Sequence, residues 1–442
     1  MDALTLARIQ FAVTVGFHFI FPPISIGLAW LLVFAEWLGW RRGDPEYVQI
    51  GQFFGKLFAI TFAAGVATGI VMEFQFGTNW AQYSRFVGDI FGAPLAAEGV
   101  FAFFLESTFL GVYLFGRGRL SKGAHWFSAL MVAFGATLSA LWIIIANSWQ
   151  QTPAGYVVRN GRAELTDFFA AALNPSTLPR YFHTVTASLV TGALIMAGVA
   201  AWHLRRNPQA GFARKALKLA VVWGLLVAAA EIMPFGHWHA QQVARTQPEK
   251  FAAIQGLYSS ESGAPLVLFA LPLQDPPRLV AAVEIPGLLS WMALGDPGAR
   301  IRGLEAFPPE NRPPLWITFV SYHNMVALGM WFVALMAWSA WRMATGKLWT
   351  DRRTLTALVW SIPLGVVACQ LGWTAAEVGR QPWIVYGLLR TSQAHSPTVT
   401  AGEIAFSLVL FTAVYALLGA LWLTLMIRRA KAGPDAVSAV HA

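Results

Sequence analysis

Charged residues make up only 12% of this 442-residue chain, and a single cysteine, Cys369, is present. Soluble domains carry roughly 25% charged residues, so the shortage excludes an ordinary water-soluble fold. One cysteine excludes an intrachain disulfide, and its apolar surroundings argue against a cysteine-built metal site. A dense basic tract is also missing. The formal charge of +9 is scattered between apolar runs, which argues against nucleic acid as a partner. The first residues, MDALTLARIQ, lack the Lys/Arg-rich start and small-residue cleavage site of a signal peptide, so the first apolar run is expected to be retained. No internal repeat of the kind common in transporters is visible.

What fills the chain instead is apolar: 56% hydrophobic residues, with 20 Trp and 32 Phe. That much apolar surface exceeds one globular core and belongs in lipid. The aromatics suit helix packing, interfacial belts or planar cofactors, and packing is the ordinary explanation for most of them. Nine runs are long enough to span, roughly 11–38, 54–77, 94–116, 126–147, 184–204, 217–236, 315–341, 354–375 and 402–427. The expected fold is all-α: a polytopic membrane protein with about nine transmembrane helices. Its basic residues gather after spans 1, 3, 5 and 7 and in the tail, for example Arg41, Arg42, Arg205, Arg206, Arg428 and Arg429. The positive-inside rule then puts the N-terminus outside and the C-terminus in the cytoplasm.

Three regions follow. Residues 1–236 hold six helices, 237–314 form a large external loop rich in Pro and Gly, and 315–442 hold three helices and a short cytoplasmic tail. Long outer loops of this kind suggest a binding surface.

Several side chains do not belong in hydrocarbon. His18, His183, Met325 and Glu377 all fall in the outer half of their spans, at a similar depth. His and Met are common axial ligands of a low-spin haem, and a lone His or carboxylate can leave an iron position open. Each also has a plainer reading: a hydrogen-bonded His, a packing Met, or an ion pair of Glu377 with Arg380. Glu98 and Glu106 lie eight residues apart in one span. On a continuous helix they share a side, about 12 Å apart along the axis, and staggered carboxylates suit proton transfer. Ser107, Ser139 and Asn147 extend that line or simply pack helices. Glu231, followed by Pro234, fits a helix end better than a proton path.

The motifs GKLFAITFAAGVATGIVMEFQFGTNW, VGDIFGAPLAAEGVFAFFLESTF, LSALWIIIANSWQ and GRQPW closely resemble subunit I of the cytochrome bd-type quinol oxidases, and the likeness runs over essentially the whole chain. The resemblance implies a terminal oxidase of the bacterial cytoplasmic (inner) membrane that oxidises quinol at the outer face. It reduces dioxygen to water with protons from the cytoplasm, and so builds a proton-motive force without a pump. The cofactors implied are a low-spin haem b, a high-spin haem b and a haem d, or a further haem b in its place. By resemblance, His183 in RYFHTV and Met325 in YHNMVALG match the low-spin ligands, while His18 in FHFIFPP and Glu377 in AAEVGRQPW match those of the high-spin haems. Which of the latter two serves haem d is left open. Trp373 and Arg380 match residues around the high-spin haems. Glu98 and Glu106 match proton-channel carboxylates, with Lys56, Ser107, Ser139 and Asn147 in support.

The segment 237–314 corresponds to the family's quinol-binding loop, and its shortness resembles the short-loop branch. In TQPEKFAAIQGLY, Lys250 keeps one quinol-contacting position, but Gln255 stands where relatives carry Glu. A Gln can hydrogen-bond a quinol hydroxyl but cannot take its proton; Glu249, Glu261 and His239 are the substitutes at hand. His323 stands where many relatives have Arg, giving the low-spin haem weaker cationic support. These departures resemble a divergent, cyanide-insensitive-like branch. The family also implies a second subunit of similar topology and admits small single-span subunits.

Two rivals come from other classes. A proton-coupled transporter accounts for the carboxylates but not for a His/Met pair at one depth. A quinol-linked electron-transfer cytochrome uses His183 and Met325 but has no need of His18 and Glu377.

Overall fold

The structure, a computed structural model, describes residues 1–434; the end of the expected tail, 435–442, lies outside the described residues. Among the described residues, eight helical segments are long and apolar enough to cross a membrane, and a ninth is a pair bent by 41°, Arg352–Trp360 with Leu364–Val378. The nine apolar runs of the sequence are therefore all helical.

The first span is two helices, α1 (Ala3–His18) and α2 (Phe21–Arg42). The chain breaks directly after His18 because Pro22 and Pro23 occupy the start of α2, where a missing N–H costs nothing. Helix α3 (Pro45–Thr78) is started by Asp44, whose carboxylate accepts the Glu46 N–H at 3.0 Å. The third span consists of α4 (Ala81–Ala97), a π-helical turn at Glu98–Phe103, and α5 (Phe104–Phe115). Next come α6 (Lys122–Gln151), the short α7 (Phe168–Ala172), α8 (Thr177–Leu204) and α9 (Gly211–Ala230). A second π segment, Glu231–Gly236, joins α9 to α10 (His237–Thr246). Within it Met233 leaves helical dihedrals (φ −138°, ψ 117°), as the residue before Pro234 must avoid the α region.

The helical run thus continues to Thr246, past the boundary expected at 237. The reason is that His237–Thr246 is too polar to read as a span yet keeps helical hydrogen bonds. Beyond it lie α11 (Pro248–Gln255), α12 (Leu288–Leu294), α13 (Leu315–Ala344), the bent pair α14 (Arg352–Trp360) and α15 (Leu364–Val378), and α16 (Ala401–Ala432). Thr400 and Glu403 close a capping box at the start of α16.

Strands are confined to connections. Two-stranded ladders pair β1 (Tyr156–Arg159) with β2 (Arg162–Leu165), and β3 (Glu261–Ser262) with β6 (Arg300–Ile301). The antiparallel hairpin of β4 (Leu266–Gln274) and β5 (Pro277–Ile285) is the main feature of the large connection, and β7 (Trp383–Val385) pairs with β8 (Leu389–Arg390).

Helices α2, α3, α8 and α9 build the core around Leu28, Phe54, Leu194 and Leu217, all fully buried. At the α2–α8 crossing the backbones touch: a Cβ on Gly27 would lie 2.6 Å from Gly192 N, and one on Gly192 would lie 2.2 Å from Gly27 C. Only glycine fits at both positions, the small-residue contact that lets membrane helices approach closely. By contrast, α16 keeps Phe406, Val409 and Leu417 outward-facing.

Candidate functional site

One cavity of about 1830 Å³ runs through the helices, and all four expected iron ligands, His18, His183, Met325 and Glu377, line it. A single ligand pocket is usually roughly 300–1,000 Å³, so this space accommodates more than one large group.

His18 ends α1. Its Nδ1 lies 3.0 Å from Thr68 Oγ1. That hydroxyl already donates to the Ala64 and Gly65 carbonyls at 3.0 Å, so it is left to accept from His18 Nδ1–H. The tautomer this favours carries its lone pair on Nε2. Gly69 stands against the same ring, where a Cβ would sit 3.2 Å from Cε1. His183, in the second turn of α8, has Nδ1 2.8 Å from Glu231 Oε1, although its N–H is not aimed at that oxygen. Met325 on α13 packs its sulfur against Gly372 of α15, where a Cβ would come within 2.8 Å. Two imidazoles with an oxygen close to Nδ1, a thioether, and glycines that keep their surroundings shallow fit the axial ligation of flat iron macrocycles.

Glu377 near the end of α15 sits in a dense polar set. Asn147 Nδ2 donates to its Oε1 at 3.1 Å and Gln151 Nε2 at 3.3 Å. Arg380 NH2 reaches Oε2 at 2.6 Å, and Arg180 NH2 stands 3.8 Å from Oε1. Arg380 also donates to Gln150 Oε1 at 2.8 Å and to the Trp383 carbonyl at 3.2 Å. Arg180, which bonds Asn147 Oδ1, is missing from the sequence reading. Its position three residues before His183, on the same helix face, was the available signal. Trp373 lines the cavity with its ring 6.5 Å from Phe19.

Glu98 and Glu106 both reach the cavity. The helix between them is not continuous as assumed: the π turn begins at Glu98, widening the repeat. Ser139 Oγ donates to Glu98 Oε1 at 2.7 Å, and Glu106 lies under Gly135 of α6. Glu73 of α3 lines the same space and went unnoticed, although a carboxylate within VMEFQFG carries the same signal as Glu98. Asn147 belongs to the Glu377 set instead of this column. Ser107 and Lys56 lie off the cavity lining; Ser107 Oγ donates to Phe104 O at 3.4 Å, and Lys56 is exposed.

Lys250 is only 3% exposed, and Nζ donates to Gln151 Oε1 at 2.6 Å and Gln247 Oε1 at 2.8 Å. Burial, then the nearby Arg180, push its ammonium well below the usual lysine range. Gln255 Nε2 donates to Tyr322 OH at 3.4 Å while its Oε1 is buried without a partner, as is His239 Nε2; both side chains line the cavity. Glu249 accepts from Tyr386 OH at 2.7 Å, and Glu261 is exposed on β3; neither lines the cavity. His323 does not line it either. Its Nδ1 and Nε2 lie 3.0 Å and 3.1 Å from the carbonyls of Phe319 and Val267, so it ties α13 to β4.

Comparison with known proteins places the whole chain. Residues 6–434 match the family described as cytochrome bd terminal oxidase subunit I. The chain is 39% identical to the cytochrome bd ubiquinol oxidase subunit 1 of Bacillus subtilis (strain 168), over 98% of this chain and 95% of that one. It is 36% identical to the cytochrome bd-II ubiquinol oxidase subunit 1 of Escherichia coli (strain K12), over 99% and 98%. The solved bd oxidase from Geobacillus thermodenitrificans superposes with a TM-score of 0.92 at 32% identity, covering 98% of this chain and 99% of that chain. A ligand-lined cavity in a bundle of this shape, with likeness along its full length, has one reading: the chain belongs to the cytochrome bd terminal oxidase subunit I family.

Proposed function

We propose that this chain, a multi-pass subunit of a terminal quinol oxidase, carries three haems in its central cavity and takes electrons from quinol. The observation that carries this is the convergence of His18, His183, Met325 and Glu377 on one cavity, with an oxygen within 3.0 Å of Nδ1 on both imidazoles. His183 and Met325 hold a low-spin haem b; His18 and Glu377 hold a high-spin haem b and a haem d, or a further haem b. The bound haems supply the electron path from quinol to dioxygen.

The chain's own residues do the rest. Arg380 and Arg180 hold Glu377 as a carboxylate and offer cationic partners at the same end of the cavity. Lys250 and Gln255, both buried on α11, orient the quinol through its oxygens. Glu98 and Glu106, with Ser139 donating to the first, move protons toward the oxygen-reducing site.

The scatter of Lys and Arg favours an external N-terminus and uptake of those protons from the cytoplasm. The compact 237–314 segment, with Gln255 and His323, supports the short-loop, cyanide-insensitive-like branch. The outward apolar faces, such as Phe101, Phe104 and Phe115 on the third span, suit lipid and a second subunit of similar topology, with room for small single-span subunits. The test is haem extraction and a reduced-minus-oxidised spectrum of the purified complex. Three haems are expected; one low-spin haem alone reduces the chain to an electron carrier, and none in an intact complex overturns the reading.

A further inference from the structure

Glu231 has no part in the scheme above, yet it makes the closest polar contact to His183. Its Oε1 lies 2.8 Å from His183 Nδ1, and Thr186 Oγ1 holds its Oε2. Thr186 is three residues past His183, so one face of α8 presents both the imidazole and the hydroxyl that braces its partner. The backbone is shaped for this contact. Glu231 opens the π segment, and Gly236 closes it where a Cβ would stand 2.6 Å from Glu231 O and 3.7 Å from His183 Nδ1.

We propose that Glu231 is a positioning residue for the low-spin haem. With a small turn of the ring, its carboxylate accepts the Nδ1 proton of His183, directs Nε2 into the cavity and makes the imidazole a more electron-rich ligand. The inference rests on His183 being an axial ligand. A carboxylate behind a metal-bound histidine fixes its tautomer and raises its basicity, and removing such a partner typically costs roughly 10–100-fold in metal affinity. Extra electron density on the ligand favours the ferric state. His18 provides the internal contrast, since its Nδ1 meets only the neutral Thr68 hydroxyl.

The test uses the intact complex. Glu231→Gln keeps the shape and an accepting oxygen but removes the charge. Its low-spin haem is expected to bind, with a ferrous-to-ferric ratio about tenfold higher at a fixed potential, a midpoint raised by about 59 mV for one electron. A ratio within twofold of the wild type overturns the proposal. Thr186→Val guards against failed assembly of the first variant. With its second oxygen released, the carboxylate pulls harder on Nδ1–H, and the ratio is expected to fall about twofold; no change overturns the proposal here too. His183→Ala separates the two levels. If it keeps the low-spin spectrum, the ligand assignment fails and the proposal with it. If it loses that spectrum while Glu231→Gln leaves the ratio unmoved, only the positioning role falls.

Discussion

The two π segments, Glu98–Phe103 and Glu231–Gly236, are built alike and used differently. Each opens on a glutamate in an apolar span, and each has a proline nearby, Pro94 before the first and Pro234 within the second. Both glutamates face the same cavity. Their partners differ. Glu98 is held by a neutral hydroxyl, Ser139, beside the further carboxylates Glu73 and Glu106. Glu231 is fixed between an imidazole and a threonine. The first setting suits the proton transfer proposed for Glu98, the second the positioning role proposed for Glu231. A widened turn therefore re-aims a side chain without deciding its chemistry.

Substitutions can break or sharpen that contrast. The largest effect is expected from Glu98→Gln: turnover measured by oxygen consumption should fall about 100-fold, as loss of a proton-transfer group does. The low-spin haem's ferrous-to-ferric ratio should stay within twofold. If this variant moves the ratio as strongly as Glu231→Gln does, the two sites are not distinct. Next comes Lys250→Met, which should raise the KM for quinol about tenfold by leaving a quinol oxygen without its buried hydrogen-bond donor, with haem content unchanged. Ser139→Ala removes one hydrogen bond, a net of about 1 kcal/mol, and should slow turnover about fivefold. A full 100-fold loss would mean that the hydroxyl itself carries protons. Ser107→Ala should change turnover less than twofold, and any larger loss in the same assay would put Ser107 on the path.

The span pattern was legible because hydropathy and basic loops carry it directly. The breaks were not. Pro22, Pro23, Pro94 and Pro234 announce a disturbance, but they do not say whether the chain starts a new helix, as after His18, or widens into a π turn, as at Glu98. The helix His237–Thr246 was not legible for a related reason, since its residues are too polar to extend the apolar run. Within the site, His18, His183, Met325 and Glu377 were found through a shared depth and then through resemblance, and they do share a cavity. Ser107 could not follow Glu106 into it, because adjacent helical residues point about 100° apart. His323 misled because sequence position cannot show that both ring nitrogens are engaged by backbone carbonyls, one of them 56 residues away. Glu231 was set aside as a helix end, a role that its neighbour His183 redefines.

The glycine crossing of α2 and α8 has a consequence for timing. Gly27 follows His18 by nine residues, and Gly192 follows His183 by nine. The point where the two backbones touch thus sits at the same distance along the chain from each histidine. Electron tunnelling weakens exponentially with separation, so a contact that admits no side chain acts as a fixed spacer. Under the proposed ligation, it holds the helices that follow His18 and His183 at one separation, with little slack for thermal motion to change it.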